Sequence, residues 1–492
     1  MQEGTLLAAV DLGSNSFRLE IGRYGHGHIQ RADYLKETVR LGGGLDAERH
    51  LSPAAMQRGW DCLARFAERL AGFAHAQVRA VATQTLREAR NSAAFIERGS
   101  ALLGYPIDVV SGPEEARLIY QGVSRLLPPS DERRLVVDIG GRSTELILGR
   151  QYQAQAVTSL RLGSVAWSTQ HFADGALTAA AFDAAGVAAR AVLEEALPVF
   201  HRGAWDVAYG SSGTIGAVGE ILAAAGQPAG RITRAGLDGL VQRLLRAGHA
   251  SRVRLEGLKD DRRAVIGGGV SVLRALFDLL DLQELHVAQG ALRQGVLYDL
   301  LARETVETDL RSAAVTGLLQ RFGADAAQAQ RVARVAGALF AQAGAPGGEQ
   351  AQRVLGWTAQ LHEIGVRIAH SGYHRDGGYI LENTDTPGFA QPELLYLARL
   401  VRAHRGKLRK LDIDWSDAVW VLQLACLRLA VALCHARRDP ELDGIRLERA
   451  GPRLVLHGRA DWAAAWPQSA YLLREECLDW QRTPWELALA WR

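Results

Sequence analysis

Two patterns of apolar and polar positions divide the chain. Up to about residue 305, short apolar runs alternate with Gly-, Ser- and Asp-rich turns, which is the signature of strands; beyond it, apolar residues recur at helical spacing. The clearest segment occurs twice. VDLGSNSFRLEIG at 10–22 and VDIGGRSTELILG at 137–149 are identical at six of thirteen positions. Each copy is an apolar run ending in Asp, a Gly/Ser turn and a second apolar run, which predicts strand, tight turn, strand. The copies lie about one domain length apart, so the pattern predicts two related α/β lobes. Around the first copy, Gln77–Ala82 reads as a strand, Thr83–Arg98 as a helix, Ile107–Val110 as a strand, and Glu114 opens a helix. Pro128–Asp131 reads as the hinge to the second lobe, where strands at Val207–Tyr209 and Glu284–Ala288 lead into Gly-rich turns. Helices are predicted at Gln328–Ala341, Gln352–His362 and Glu393–Ala403, and a hairpin at 445–457 around Gly451-Pro452. The expected organisation is 1–127 and 128–305 for the lobes, 306–440 helical, and 441–492 a small α+β part.

Composition narrows the class. The 492 residues carry 57 basic and 54 acidic side chains, a balance that gives no general attraction to polyanions, and no nucleic-acid recognition motif is present. The four cysteines form no C-x-x-C pair, which excludes zinc-ribbon and thioredoxin-type sites and suits a reducing cytoplasm. The N-terminus lacks a basic segment ahead of an apolar one and does not read as a signal peptide. The longest apolar stretch, Ala418–Cys434, is interrupted by Gln423 and Arg428, and is expected to be a buried helix and not a membrane span.

The paired turns carry the candidate chemistry. A strand-end Asp followed by Gly-Ser or Gly-Gly presents several backbone N–H groups in a small concave nest suited to phosphate oxygens. Asp11 and Asp138 would then face each other across a cleft, where carboxylates beside phosphate hold Mg²⁺ or position water; an Asp capping its own turn is the plainer alternative. There is no G-x-x-x-x-G-K-[ST] and no strand-linked G-x-G-x-x-G, so P-loop and Rossmann chemistry are excluded.

AAVDLGSNSF (8–17), ATQTLREARN (82–91), SGPEEARLIYQGV (111–123), VVDIGGRSTELILG (136–149), GSSGTIGAVGE (210–220) and ALRQGVLYD (291–299) together resemble the exopolyphosphatase/guanosine pentaphosphate phosphohydrolase family of the actin/hexokinase/Hsp70-like superfamily. The resemblance implies two ribonuclease-H-like lobes of the actin-like ATPase type, then a mainly helical HD-like region, and a cytoplasmic homodimer. It implies that Glu115 is the base acting on the attacking water and that Arg87 pairs with the phosphoryl group. Asp138 and Glu145, with Asp11, would face Mg²⁺ or water. Gly140, Gly141 and Ser143 would form one phosphate cradle, Gly13, Ser14 and Asn15 its opposite half, and Gly213 and Thr214 a further contact loop. Glu114 serves only the helix dipole.

Two departures matter. Arg142 stands where the family has a small residue in the cradle. In LHEIG (361–365), Glu363 replaces the Asp of an HD pair, so the helical region is expected to be scaffold. Two basic stretches there, containing His370 and His374, and Arg402, His404, Arg405 and Lys407, resemble the exopolyphosphatase branch. A remote basic track suits a long polyanion. The expected activity is therefore Mg²⁺-dependent release of orthophosphate from inorganic polyphosphate, with guanosine pentaphosphate phosphohydrolase as the alternative and a nucleotide-gated binding protein as a more distant one.

Overall fold

The computed structural model describes residues 2–25, 28–303, 309–384 and 386–491. The chain divides into two compact units, Met1–Thr308 and Asp309–Arg492. The boundary expected at 305/306 lies outside the described residues.

In the first unit, β1 (Leu6–Leu12), β2 (Phe17–Gly25), β3 (His28–Glu37), β4 (Val78–Ala82) and β5 (Ile107–Val109) form a sheet in the order β3-β2-β1-β4-β5. A second sheet contains β6 (Arg133–Ile139), β7 (Thr144–Arg150), β8 (Gln153–Leu160), β9 (Val207–Ser211), β10 (Arg231–Thr233) and β11 (Glu284–Val287), in the order β8-β7-β6-β9-β11-β10. In each, three strands form an antiparallel meander and two more run parallel to the first of them. The sequence repeat is therefore a repeat of topology, with β10 an added antiparallel edge. β1 and β6 are covered on both faces, which is why Leu7–Leu12 and Leu135–Ile139 are buried without alternation.

The helices of the first lobe are α1 (Pro53–Arg69), α2 (Gln84–Glu88), α3 (Ser92–Leu103) and α4 (Gly112–Ser124). Periodicity predicts one helix over 83–98, but the chain breaks between α2 and α3. The Asn91 side chain takes both backbone groups of Leu51, accepting from its N–H at 2.9 Å and donating to its carbonyl at 3.0 Å. That long-range pairing competes with helix continuation at Asn91. α4 packs against the helix Leu292–Ala302, which follows the last strand of the second lobe. Leu118, Ile119 and Leu297 from this pair join Leu7 of one sheet and Val136 and Ile147 of the other in one core. The helices approach so closely that a side chain at Gly122 or Gly295 would collide with the partner's backbone.

The second unit is mainly helical. The helices expected at 328–341, 352–362 and 393–403 occur as Ala326–Gln342, Gly348–Leu361 and Gln391–Ala403. Ala418–Leu433 is its buried centre. The two polar residues inside that helix are satisfied: Gln423 bonds Tyr396 and the Ala351 carbonyl, and Arg428 bonds Glu476, Asp479 and two carbonyls. No helix among the described residues is long and apolar enough to cross a membrane. The predicted hairpin is β12 (Arg446–Ala450) and β13 (Arg453–Gly458), and β14 (Glu486–Trp491), unanticipated, adds parallel to β13.

Candidate active site

Asp11 and Asp138 are the penultimate residues of β1 and β6, and each strand then runs into a turn on a glycine at the same place. A Cβ on Gly13 would stand 3.0 Å from the Ser16 carbonyl, and one on Gly140 3.1 Å from that of Ser143. Both turns therefore admit only glycine without adjustment. The turns meet: a Cβ on Gly141 would stand 3.0 Å from the Ser14 Cβ. Between them lies a cavity of about 100 Å³. Asp11, Gly13, Ser14 and Asn15 line it from the first lobe, and Asp138, Gly140, Gly141 and Ser143 from the second.

A third wall is Ser212-Gly213, at the start of the 12-residue helix Gly213–Ala224. Ser212 holds φ = 102°, with its Oγ accepting from the N–H groups of Thr214 and Ile215 at 3.2 Å. Thr214 is buried behind Gly213 and is not on the cavity wall.

Glu115 enters from the first turn of α4, which Ser111 caps by accepting from the Glu114 N–H. Glu115 lines the cavity; Arg87 does not. Arg87 stands behind it, donating to Glu115 Oε2 at 2.9 Å and to the Val110 carbonyl at 2.7 Å. Glu114 is gripped by Arg117 through two hydrogen bonds of 2.8 and 2.7 Å.

The electrostatics of the site are unbalanced. Glu115, Asp138 and Glu145 are all nearly inaccessible to solvent. Burial pushes the Glu115 carboxyl up, against the charge and hydrogen bond of Arg87. Asp138 is pushed up to about 6, by burial first, and then by Glu115 and Asp11 against a hydrogen bond from Ser211. Burial, with Glu115 and Asp138 beside it, holds Glu145 well above the usual carboxylate range. Its Oε1 accepts from Ser159 at 2.7 Å, but its Oε2 is buried with no hydrogen-bond donor.

Three cavity-lining arginines, Arg18, Arg262 and Arg293, were not assigned roles from sequence. Arg18 sits 3.6 Å from Asp11 and its Nε is buried without a partner. Arg262 lies against Gly213; burial and then Arg18 push its guanidinium pKa down. Arg293 reaches Asp11 at 3.4 Å and Glu20 at 3.2 Å. A signal for Arg18 exists, because it is the residue of the first repeat that aligns with Glu145. Arg262 lies in a short four-residue helix with no periodicity to mark it.

No group of three or more His, Cys, Asp or Glu among the described residues is arranged to hold a metal by itself. Mg²⁺ commonly takes one or two carboxylates and completes its shell with phosphate and water. Asp138, on the cavity wall, fits that role, and Glu145, its cross-strand neighbour, keeps an Oε2 without a donor although it does not itself line the cavity. Asp11 does not fit the role, because two arginines already occupy it.

The basic stretches belong to the second unit and are only partly brought together. His374, Arg402, Arg405 and Lys407 line a concavity of about 460 Å³. His370 is exposed and apart from it. His404 is buried, donates through Nδ1 to the Val401 carbonyl at 2.5 Å, and is held well below the usual histidine range by burial and by His362. It is a neutral core group and adds no positive charge, contrary to the expectation. Arg402 is committed to Glu382 at 2.9 Å.

Comparison with known proteins sets the relationship. The model of the Ppx/GppA phosphatase family matches residues 21–304, and that of Ppx/GppA phosphatase domain III matches residues 310–477. A Vibrio parahaemolyticus protein named guanosine-5'-triphosphate,3'-diphosphate pyrophosphatase is 39% identical over 98% of this chain and 98% of its own. A Vibrio cholerae protein of the same name is also 39% identical, with 98% of each chain covered. The crystal structure of the Aquifex aeolicus Ppx/GppA family member, 24% identical, matches with a TM-score of 0.52 over 61% of this chain and 99% of that one; at that identity it shows the shared fold. These names correct the polyphosphate expectation: the full-length relatives carry the name of the nucleotide enzyme, which was the alternative. The basic stretches that led to polyphosphate are, in part, a buried neutral histidine and a paired arginine. By family model and by full-length identity, the chain belongs to the Ppx/GppA phosphatase family.

Proposed function

We propose that the chain hydrolyses the terminal 5'-phosphoanhydride bond of guanosine pentaphosphate, releasing orthophosphate and leaving guanosine tetraphosphate. The observation that carries the chemistry is the Glu115 carboxylate, held by Arg87 on the wall of a cavity whose other walls are two opposed phosphate-type turns. The choice of substrate follows the full-length relatives.

Water is oriented by the Glu115 carboxylate, which takes its proton as the water oxygen bonds to the γ-phosphorus and the bond to the bridging β–γ oxygen breaks. The backbone N–H groups of the two turns donate to the γ-phosphate oxygens. Arg18 and Arg262, both on the cavity wall, neutralise the remaining negative charge. Mg²⁺ held by Asp138 and Glu145 would supply further charge neutralisation at the phosphates. Asp11, tied to Arg18 and Arg293, keeps those guanidiniums in place.

The deciding assay is orthophosphate release with Mg²⁺, comparing kcat/KM for guanosine pentaphosphate and long-chain polyphosphate. A clear preference for the nucleotide is expected, and Glu115→Gln should cut its kcat about 100-fold or more with little change in KM. No turnover of the nucleotide by the wild-type protein removes the reading; full turnover by E115Q removes Glu115 from the base role.

A further inference from the structure

Arg142, the residue that departs from the family's cradle, does not line the cavity. It leaves the second lobe's turn and crosses to the first lobe. Its Nε and Nη2 donate to Glu88 Oε2 at 2.9 and 2.7 Å, and its Nη1 lies 3.5 Å from the Gly42 carbonyl. Glu88 Oε1 accepts from Gln84 Nε2 at 2.7 Å. Gln84 Oε1 accepts from Arg87 Nε at 3.0 Å and Nη2 at 2.7 Å. The remaining Arg87 nitrogen, Nη1, donates to Glu115. Five side chains thus form one unbroken path from the second lobe's phosphate turn to the candidate base.

The path is built on one short helix. In α2, Gln84 and Glu88 are four residues apart and Gln84 and Arg87 three apart, so all three meet on one face. Thr85 of the same helix donates to Ser14 Oγ at 2.8 Å. Both phosphate turns are therefore fastened to α2, the first through Thr85 and the second through Arg142. All the side chains on the path are half-buried or buried, where charge-assisted hydrogen bonds are strong and their loss is costly.

We infer that Arg142 is a positioning residue: through Glu88, Gln84 and Arg87 it ties the second lobe's turn to Glu115, so that the base is held in register only while the two lobes are closed on each other. Parting the lobes separates Arg142 from Glu88 and frees the Glu88 carboxylate. Gln84 then keeps only an untethered acceptor for its amide, and Arg87 loses the fixed oxygen that takes its Nε and Nη2. Glu115 is left with an Arg87 that is anchored at Nη1 alone, by the Val110 carbonyl, and no longer fixed at Nε and Nη2. The inference rests on the reading of Glu115 as the base acting on guanosine pentaphosphate.

The test is steady-state hydrolysis of guanosine pentaphosphate by R142A, R142K, Q84A and R142A/Q84A, each checked by circular dichroism for the wild-type fold. A base held loosely loses kcat more than affinity. R142A is expected to lower kcat about tenfold or more while KM moves less than about threefold. R142K should recover most of the loss, and R142A/Q84A should be no worse than the poorer single variant, because both cut one path. A rise in KM at constant kcat, or losses that multiply in the double variant, would overturn the inference. Amide hydrogen exchange over Gln84–Glu88 is read on the same proteins without substrate and should quicken in R142A; unchanged exchange there also overturns it. The wild-type rate tests the proposed function and the variant ratios and exchange test the path, so the two failures are distinguishable.

Discussion

The first unit contains one structural idea used twice with opposite electrostatic results. In both lobes a strand delivers an Asp to a glycine turn, and the paired strand returns with an ionisable residue directly across from it. In the first lobe that cross-strand partner of Asp11 is Arg18; in the second, the partner of Asp138 is Glu145. A like-charge pair directly across a sheet is destabilising, and burial makes it worse. The first turn is accordingly self-neutralised, with Asp11 held by Arg18 and Arg293. The second concentrates two acids, one of which keeps an oxygen without a donor. The repeat shares its topology, and one position in it sets the charge: Arg18 across from Asp11, Glu145 across from Asp138.

Substituting the equivalent aspartates separates the halves by the widest margin. Asp138→Asn is expected to lower kcat with guanosine pentaphosphate about 100-fold or more, as removal of a metal ligand does, and to raise the Mg²⁺ concentration needed for half-maximal rate. Asp11→Asn should cost about tenfold or less, because it only loosens two arginines. Equal losses, with equal changes in Mg²⁺ requirement, would break the comparison.

The cross-strand partners should divide in kind as well as size. On the proposed function, Arg18→Ala removes a cavity-wall charge that meets substrate before and during reaction, so KM should rise about tenfold with a smaller fall in kcat. Glu145→Gln should act on kcat and on the Mg²⁺ requirement and leave KM nearly unchanged. An R18A variant with wild-type KM would remove Arg18 from substrate binding and leave it as the counter-ion of Asp11.

How much of this was readable from sequence depends on what each feature needs. The duplicated turns were legible because strand, Asp and glycine are local requirements, and the two related sheets follow from them; the individual cradle residues were named only through resemblance. Glu115 and Arg87 were legible only through resemblance, and Arg87 proved to stand behind the carboxylate and not on the cavity wall. The break between α2 and α3 was invisible because it depends on Asn91 reaching Leu51, some 40 residues earlier. β14 was missed because its pairing with β13 is likewise long-range. The substrate branch was misread for a related reason. A run of histidines and arginines counts as charge in a sequence, whereas His404 is buried and neutral and Arg402 already has a carboxylate partner.

The smallest expected effect is on stability, and its sign is the informative part. Asp138, Glu115 and Glu145 all have folded-state pKa values above the ordinary carboxylate range. A carboxyl raised on folding binds its proton more tightly in the native state, so its favourable contribution is complete below the unfolded value near 4 and is lost as pH rises through the folded value. For Asp138, raised from 3.8 to about 6, the difference amounts to about 3 kcal/mol by pH 7 at most. Without Mg²⁺, Asp138 should therefore make the first unit less stable as pH rises from about 4 through about 6, and Glu145, held higher still, should extend that loss upward. Glu145→Gln removes one of the crowded charges and supplies an amide, so it should raise the melting temperature of that unit by a few degrees at pH 8 and by much less at pH 5. The matching change on the other side of the repeat, Arg18→Ala, should lower it, because it leaves Asp11 with one guanidinium fewer. Melting curves of both variants at the two pH values, in chelator and then in Mg²⁺, read this directly. A Glu145→Gln variant that melts lower than wild type at pH 8 in chelator would mean that Glu145 is a satisfied structural acid, and the second turn would no longer differ in kind from the first.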